Sequence, residues 1–199
     1  DAQIQEARVN RVAAYAANAP LMGVPGASPP PHGEGEWFRG AGGLRLRAAF
    51  WTPSTLVAAR PRGTVILSPG RTEPIEKYFE LIGNLLARGF CVLAHDWRGQ
   101  GLSARLLPDR LKGHARAVEE FLDDYARLLD AFEARAPKPW IMAGHSMGGA
   151  LNLMSLQMGE SRISGAVLSA PMLKIKTGKR SMWSVKLAVR WNLRHGKAG

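Results

Sequence analysis

The sequence predicts an α/β protein, a mostly parallel β-sheet with helices on both faces. Three observations point there. Two short runs, 64–67 and 90–94, are continuously apolar, as strands buried on both faces are, and 140–144 and 163–168 read as two further apolar strands. Segments of helical periodicity separate them. The first three runs each open into a turn-forming loop, and parallel sheets bind their ligands beyond the carboxyl ends of their strands.

In chain order, residues 1–18 are rich in alanine and predict a short helix, and residues 19–35, with five prolines and four glycines, predict a loop or extended lead-in. Trp37-Phe38 and 44–51 read as two strands joined by a turn at 40–43. In the second, Leu44, Leu46, Ala48 and Phe50 alternate with Arg45 and Arg47, the pattern of a half-exposed antiparallel strand. Run 64–67 opens into Ser68-Pro69-Gly70-Arg71-Thr72. Ile75, Tyr78, Phe79, Ile82 and Leu86 then mark one face of a helix that ends near Arg88-Gly89. Run 90–94 leads into the glycine-rich loop 96–103. The cleanest helical period follows, through Val118, Phe121, Leu122, Tyr125, Leu128, Leu129 and Phe132, until Pro137 and Pro139 stop it. Strand 140–144, a serine turn, a helix to about Met158 and strand 163–168 complete the regular part. Right-handed crossovers would bring the three loops to one edge of the sheet. The expected organisation is a lead-in (1–35), an α/β core (36–173) and a basic helical segment (174–199).

At 199 residues the chain suits one domain with a real core. No apolar run approaches the ~18 residues of a membrane helix. The lone Cys91 excludes an internal disulfide framework and a cysteine zinc site, and reads as a small core residue. Residues 1–12 are polar and mixed in charge, without a secretory pattern, so a cytoplasmic location is expected. The net charge of +11 is uneven. All 16 acidic residues precede position 170, whereas 171–199 holds eight Lys/Arg and no Asp or Glu. Such a basic, tryptophan-containing segment suits an anionic surface, and peripheral contact at the inner membrane is expected of it; an ordinary solvated face fits the same charges.

The chemistry centres on Gly144-His145-Ser146-Met147-Gly148, which fits Gly-x-Ser-x-Gly between a strand and a helix. A serine hydroxyl is a poor nucleophile unless exposed, held still and close to a base. The flanking Gly144 and Gly148 let strand and helix approach while Ser146 takes a strained conformation. Ser146 is thus the candidate nucleophile. An oxyanion needs donors, and the backbone N–H groups of Met147, at the helix start, and of Arg71, after Gly70, are placed to supply them. His145 should point away from its neighbour and is not expected to be the base. His95 reads as a structural loop histidine, and Asp96 and Arg98 as a pair bracing the 96–103 loop. His32 and His114 carry no signal. No His/Asp/Glu cluster has metal-ligand spacing, so no metal is expected.

Three motifs, Ser68-Pro-Gly-Arg-Thr-Glu-Pro74, Asp96-Trp-Arg-Gly-Gln-Gly-Leu-Ser103 and Gly144-His-Ser-Met-Gly-Gly149, together resemble the α/β-hydrolase superfamily. Within it they are similar to the serine hydrolases grouped around bacterial lysophospholipase L2 and monoacylglycerol lipase, and Arg105-Leu-Leu-Pro-Asp-Arg110 looks most like the former. The resemblance implies Ser146 as nucleophile, an oxyanion hole from the Arg71 and Met147 N–H groups, no cofactor, a lipid-like ester substrate and no nucleic-acid partner. Pro69 departs from it, standing where many relatives have histidine. So does the chain beyond Ser146. The family triad continues with Asp or Glu and then His, yet the sequence there holds no Asp, one Glu (Glu160) and one His (His195). This implies a chain truncated after the start of a basic cap, a sheet incomplete at its C-terminal end with an exposed edge, and little activity. A catalytically inactive binding domain, or a peptidase or small-ester hydrolase on the same fold, remain the alternatives.

Overall fold

The computed structural model describes residues 16–174 and 181–195. Seven strands form one sheet in the order β1-β2-β3-β5-β4-β6-β7. These are β1 (Ala16–Ala17), β2 (Gly33–Arg39), β3 (Arg45–Trp51), β4 (Thr64–Ser68), β5 (Cys91–His95), β6 (Trp140–His145) and β7 (Ile163–Ser169). Strands β5, β4, β6 and β7 are parallel, while β1, β2 and β3 run antiparallel in series and join the block through β5. The helices are α1 (Phe79–Leu86), entered through a 3-10 turn at Ile75–Tyr78, then α2 (Glu119–Phe132), α3 (Met147–Gln157) and α4 (Met182–Arg194).

Burial is complete in two of the four apolar runs: every residue of β4 and β5 is buried, whereas β6 alternates buried and half-buried residues and β7 is half-buried to exposed throughout. One sheet face, carrying Ile66, Leu93, Trp140 and Met142, packs under α2 and α3. The other, carrying Val65, Leu67, Val92 and Ala94, packs on Phe79 and Ile82 at α1. Helices therefore cover both faces, as the sequence predicts. Gly89, at φ 80°, closes the α1 connection in the left-handed region that a side chain disfavours.

Four expectations need correction. The helix over 1–18 does not reach its end, because Ala16–Ala17 pair with Trp37 and Glu36 as a strand; residues 1–15 lie outside the described residues. β2 is longer than Trp37-Phe38 and starts at Gly33, drawn out by its ladder with β3. Arg47 is fully buried. Its guanidinium bonds Glu76 through Nη1 (2.6 Å) and Nη2 (2.7 Å), and Asp96 through Nε (2.7 Å). The fourth correction concerns Asp96 and Arg98, which do not pair. Asp96 accepts from Arg47 and from the Ile75 and Leu102 N–H groups, whereas Arg98 turns toward α2 and binds Asp124 and Glu120. Each braces the 96–103 loop, but from opposite sides.

Candidate active site

Strand β6 ends at His145 and α3 begins at Met147, so Ser146 alone makes the reversal. It does so at φ 49° and ψ −114°, outside the regions an L-residue favours. The strained residue is held at both ends. Its N–H donates to the Ser169 carbonyl (3.0 Å), and its carbonyl accepts from Met172 (2.9 Å) and Ala150 (3.1 Å). Close approach explains the flanking glycines. A Cβ on Gly144 would stand 2.7 Å from the Gly149 Cα, and one on Gly148 only 2.1 Å from the Ser68 carbonyl oxygen. The first turn of α3 therefore lies directly on the end of β4.

Four contacts shape the loop that leaves β4. Gly70 N–H donates to Glu73 Oε2 (2.7 Å) and Thr72 N–H to Gln100 Oε1 (2.6 Å). Gln100 Nε2 donates to the Gly70 carbonyl (3.2 Å), and Trp97 Nε1 to that of Pro69 (2.7 Å). Between these fixed neighbours, the Arg71 N–H has no protein acceptor among the described residues. Met147 opens α3, where backbone N–H groups lack intrahelical partners and the helix dipole is positive.

Glu73 ties this loop to the serine turn. Its carboxylate accepts from Gly70 N–H, Tyr78 Oη (2.6 Å) and Lys77 Nζ, and lies 3.0 Å from His145 Nδ1. Burial pushes its pKa up, but the Lys77, Tyr78, His145 and Gly70 contacts outweigh that and hold it at about 2. Burial, then the bond to Glu73, pushes the Tyr78 phenol up. His145 is thus engaged with Glu73. His95 is no loop residue: it ends β5, buried, with its ring 4.3 Å from that of Trp97, and burial lowers its pKa to about 3.

Glu160 and His195 are elsewhere. Glu160 binds Arg162 through Nε (2.9 Å) and Nη2 (2.6 Å), beyond the far end of α3 and about 16 Å of helix from Ser146. His195 Nδ1 lies 2.7 Å from the Trp191 carbonyl oxygen, one turn back along α4. Among the described residues no group of three His, Cys, Asp or Glu could hold a metal ion, and no helix is long and apolar enough to cross a membrane. The structure thus brings together Ser146, Met147, His145, Gly148 and the Gly70-Arg71 loop. Sequence reasoning missed Glu73 and Gln100. Glu73 had one signal, a carboxylate three residues past Gly70.

The family model Hydrolase_4, described as serine aminopeptidase, S33, matches residues 59–196. Lysophospholipase L2 of Escherichia coli K12 is 40% identical over 114 residues, which cover 56% of this chain and 33% of that protein. Monoacylglycerol lipase of Mycolicibacterium smegmatis is 33% identical over 142 residues, covering 71% and 48%. Among solved structures, an α/β hydrolase from Novosphingobium aromaticivorans superposes with a TM-score of 0.54 at 27% identity, covering 69% of this chain and 44% of that one. The chain therefore spans a third to a half of the length of the curated relatives it matches.

Proposed function

From the chain's membership of the Hydrolase_4 family of serine aminopeptidase-like α/β hydrolases, we propose that it serves a serine hydrolase of carboxylic esters in lipid-like substrates, a lysophospholipid or a monoacylglycerol. The observation that carries this reading is the strained apex at Ser146, with the Arg71 N–H on the adjoining loop unengaged among the described residues and the Met147 N–H opening α3. Ser146 Oγ attacks the ester carbonyl, and the resulting oxyanion accepts from those two N–H groups. Collapse expels the alcohol and leaves an acyl-Ser146, which water then hydrolyses. Gly144 and Gly148 permit the turn, and His145 fixes it to Glu73. No cofactor takes part.

Turnover also needs a base at Ser146, and neither Glu160 nor His195 stands there. The 199-residue polypeptide alone should therefore show only the slow residual chemistry that an oxyanion hole supports without its triad. The basic segment 174–199 would serve as the start of a cap that rests against anionic lipid, the protein being otherwise cytoplasmic.

The test is intact-mass analysis after prolonged exposure to an alkyl fluorophosphonate. One adduct should form on the wild-type chain, map to Ser146 and vanish in Ser146→Ala. Labelling that persists in Ser146→Ala rejects the assignment, and a chain that never labels favours an inactive binding domain. The family description keeps a peptidase reading open, which aminoacyl amides run beside lipid esters would separate.

A further inference from the structure

The registers place Leu67 beside Ala94 and Ser68 beside Gly144. Alternation along the strands then brings Ser68, His95 and Gly144 to one face, at the carboxyl edge, beneath α2 and α3. Lower on that face the residues are apolar, so this polar patch is a local departure. Gly144 has no side chain, and Asn152 of α3 fills the space, its Nδ2 2.7 Å from where a Cβ would stand. Asn152 is fully buried and its Oδ1 accepts from Ser68 Oγ at 2.8 Å. Tyr125 of α2 and His95 lie beside the pair, their rings 5.7 Å apart. Among the described residues, Asn152 Nδ2 and His95 Nε2 have no hydrogen-bond partner. Buried polar atoms left this way cost stability, and apolar groups of the same shape would not.

We propose that Asn152 and Ser68 form a positioning clamp that sets the spacing between the Ser146 turn and the loop carrying the Arg71 N–H. Helix α3 touches Ser68 at two points one turn apart: Gly148 lies on its carbonyl, and Asn152 holds its hydroxyl. Ser68 is the last residue of β4, three before Arg71, and Gly148 lies two after Ser146. Any slide or rotation of α3 on β4 would change the separation of the Arg71 and Met147 N–H groups. One contact alone leaves rotation free; two oppose it. The consequence for catalysis rests on the reading of Ser146 as nucleophile, whereas the clamp itself does not.

The test compares Asn152→Leu, the smaller Asn152→Ala, Ser68→Ala and the Ser68→Ala/Asn152→Ala pair in the full chain. Three quantities are read: fluorophosphonate phosphonylation of Ser146, with loss of fluoride, resolved into reversible binding and the covalent step; amide exchange at Arg71 and Met147; and the thermal midpoint. The clamp predicts a covalent step slowed by about tenfold or more with reversible binding nearly unchanged, because small misplacements tax the reacting geometry. It also predicts faster exchange confined to 70–72 and 146–149, a midpoint unchanged or raised, and a double variant no worse than the worse single one. Unchanged exchange at both loops overturns it. So does a lowered midpoint with exchange raised along all of α3, the mark of ordinary packing. A wild-type chain that takes no adduct counts against the nucleophile alone, since exchange and midpoint still decide the clamp.

Discussion

Arg47 brings a charge into a fully buried site and pairs there with two carboxylates. It is the hub of three segments, because Glu76 lies in the turn before α1, Asp96 starts the 96–103 loop, and Nη1 also donates to the Pro20 carbonyl (2.8 Å) in the lead-in. Removing one partner from such a group strands the others, which is costlier than replacing all of them. Arg47→Met should lower the unfolding free energy by about 3–5 kcal/mol in urea titrations. Arg47→Met/Glu76→Met/Asp96→Asn should recover part of that loss. The residue was legible in the sequence, but its role was not. Arg45 and Arg47 share one face of β3, and a period of two reports a face without saying what covers it. Arg45 remains exposed over the Trp37 ring at 4.4 Å, while the 73–78 segment closes over Arg47. Ser146 was legible for the opposite reason, since its strain is local and leaves glycines beside it.

Loops and strands differ in the same way at the level of elements. β4 and β5 were readable because burial on both faces writes a continuous apolar run, and β6 because an apolar run leads into the serine turn. The loop from Ser68 to Glu73 takes its shape from Trp97 and Gln100, some 28 to 30 residues away, and no local pattern records that. Glu73 makes the loop sensitive to acid. Its folded pKa lies at about 2 against an ordinary 4.5. The unfolded chain therefore binds the proton first, and the stabilisation is complete above 4.5 and lost as pH falls toward 2. Urea midpoints measured between about pH 2 and pH 6 should fall across that window. In Glu73→Gln the fall should be shallower, from a lower neutral plateau, and the wild-type and variant curves should converge in acid. Parallel curves would show that Glu73 is not the group responsible.

Over the whole molecule, the described sheet ends at β7, which pairs only with β6 and leaves Val167 65% exposed. The strand itself was legible as an apolar run. The form of the basic segment was not, because charge counting gives no direction. In α4, Trp183, Leu187 and Trp191 recur every four residues as an exposed apolar ridge. Lys186 and Arg190 stand one residue before Leu187 and Trp191, and Arg194 continues their row at the same spacing, an arrangement that suits a helix lying in a lipid interface. The asymmetry of the chain supports the same orientation, since the residues before 170 nearly balance their charges and those after 170 do not. The chain should therefore co-sediment with vesicles containing phosphatidylglycerol and not with phosphatidylcholine alone. Because the attraction is between surface charges, it should weaken steeply as salt rises to about 0.5 M, where the Debye length falls to roughly 4 Å. Lys186→Glu/Arg190→Glu should abolish it at low salt without moving the thermal midpoint, as both side chains are exposed. Binding equal on neutral vesicles, or indifferent to salt, would assign the interaction to the apolar ridge or the β7 edge.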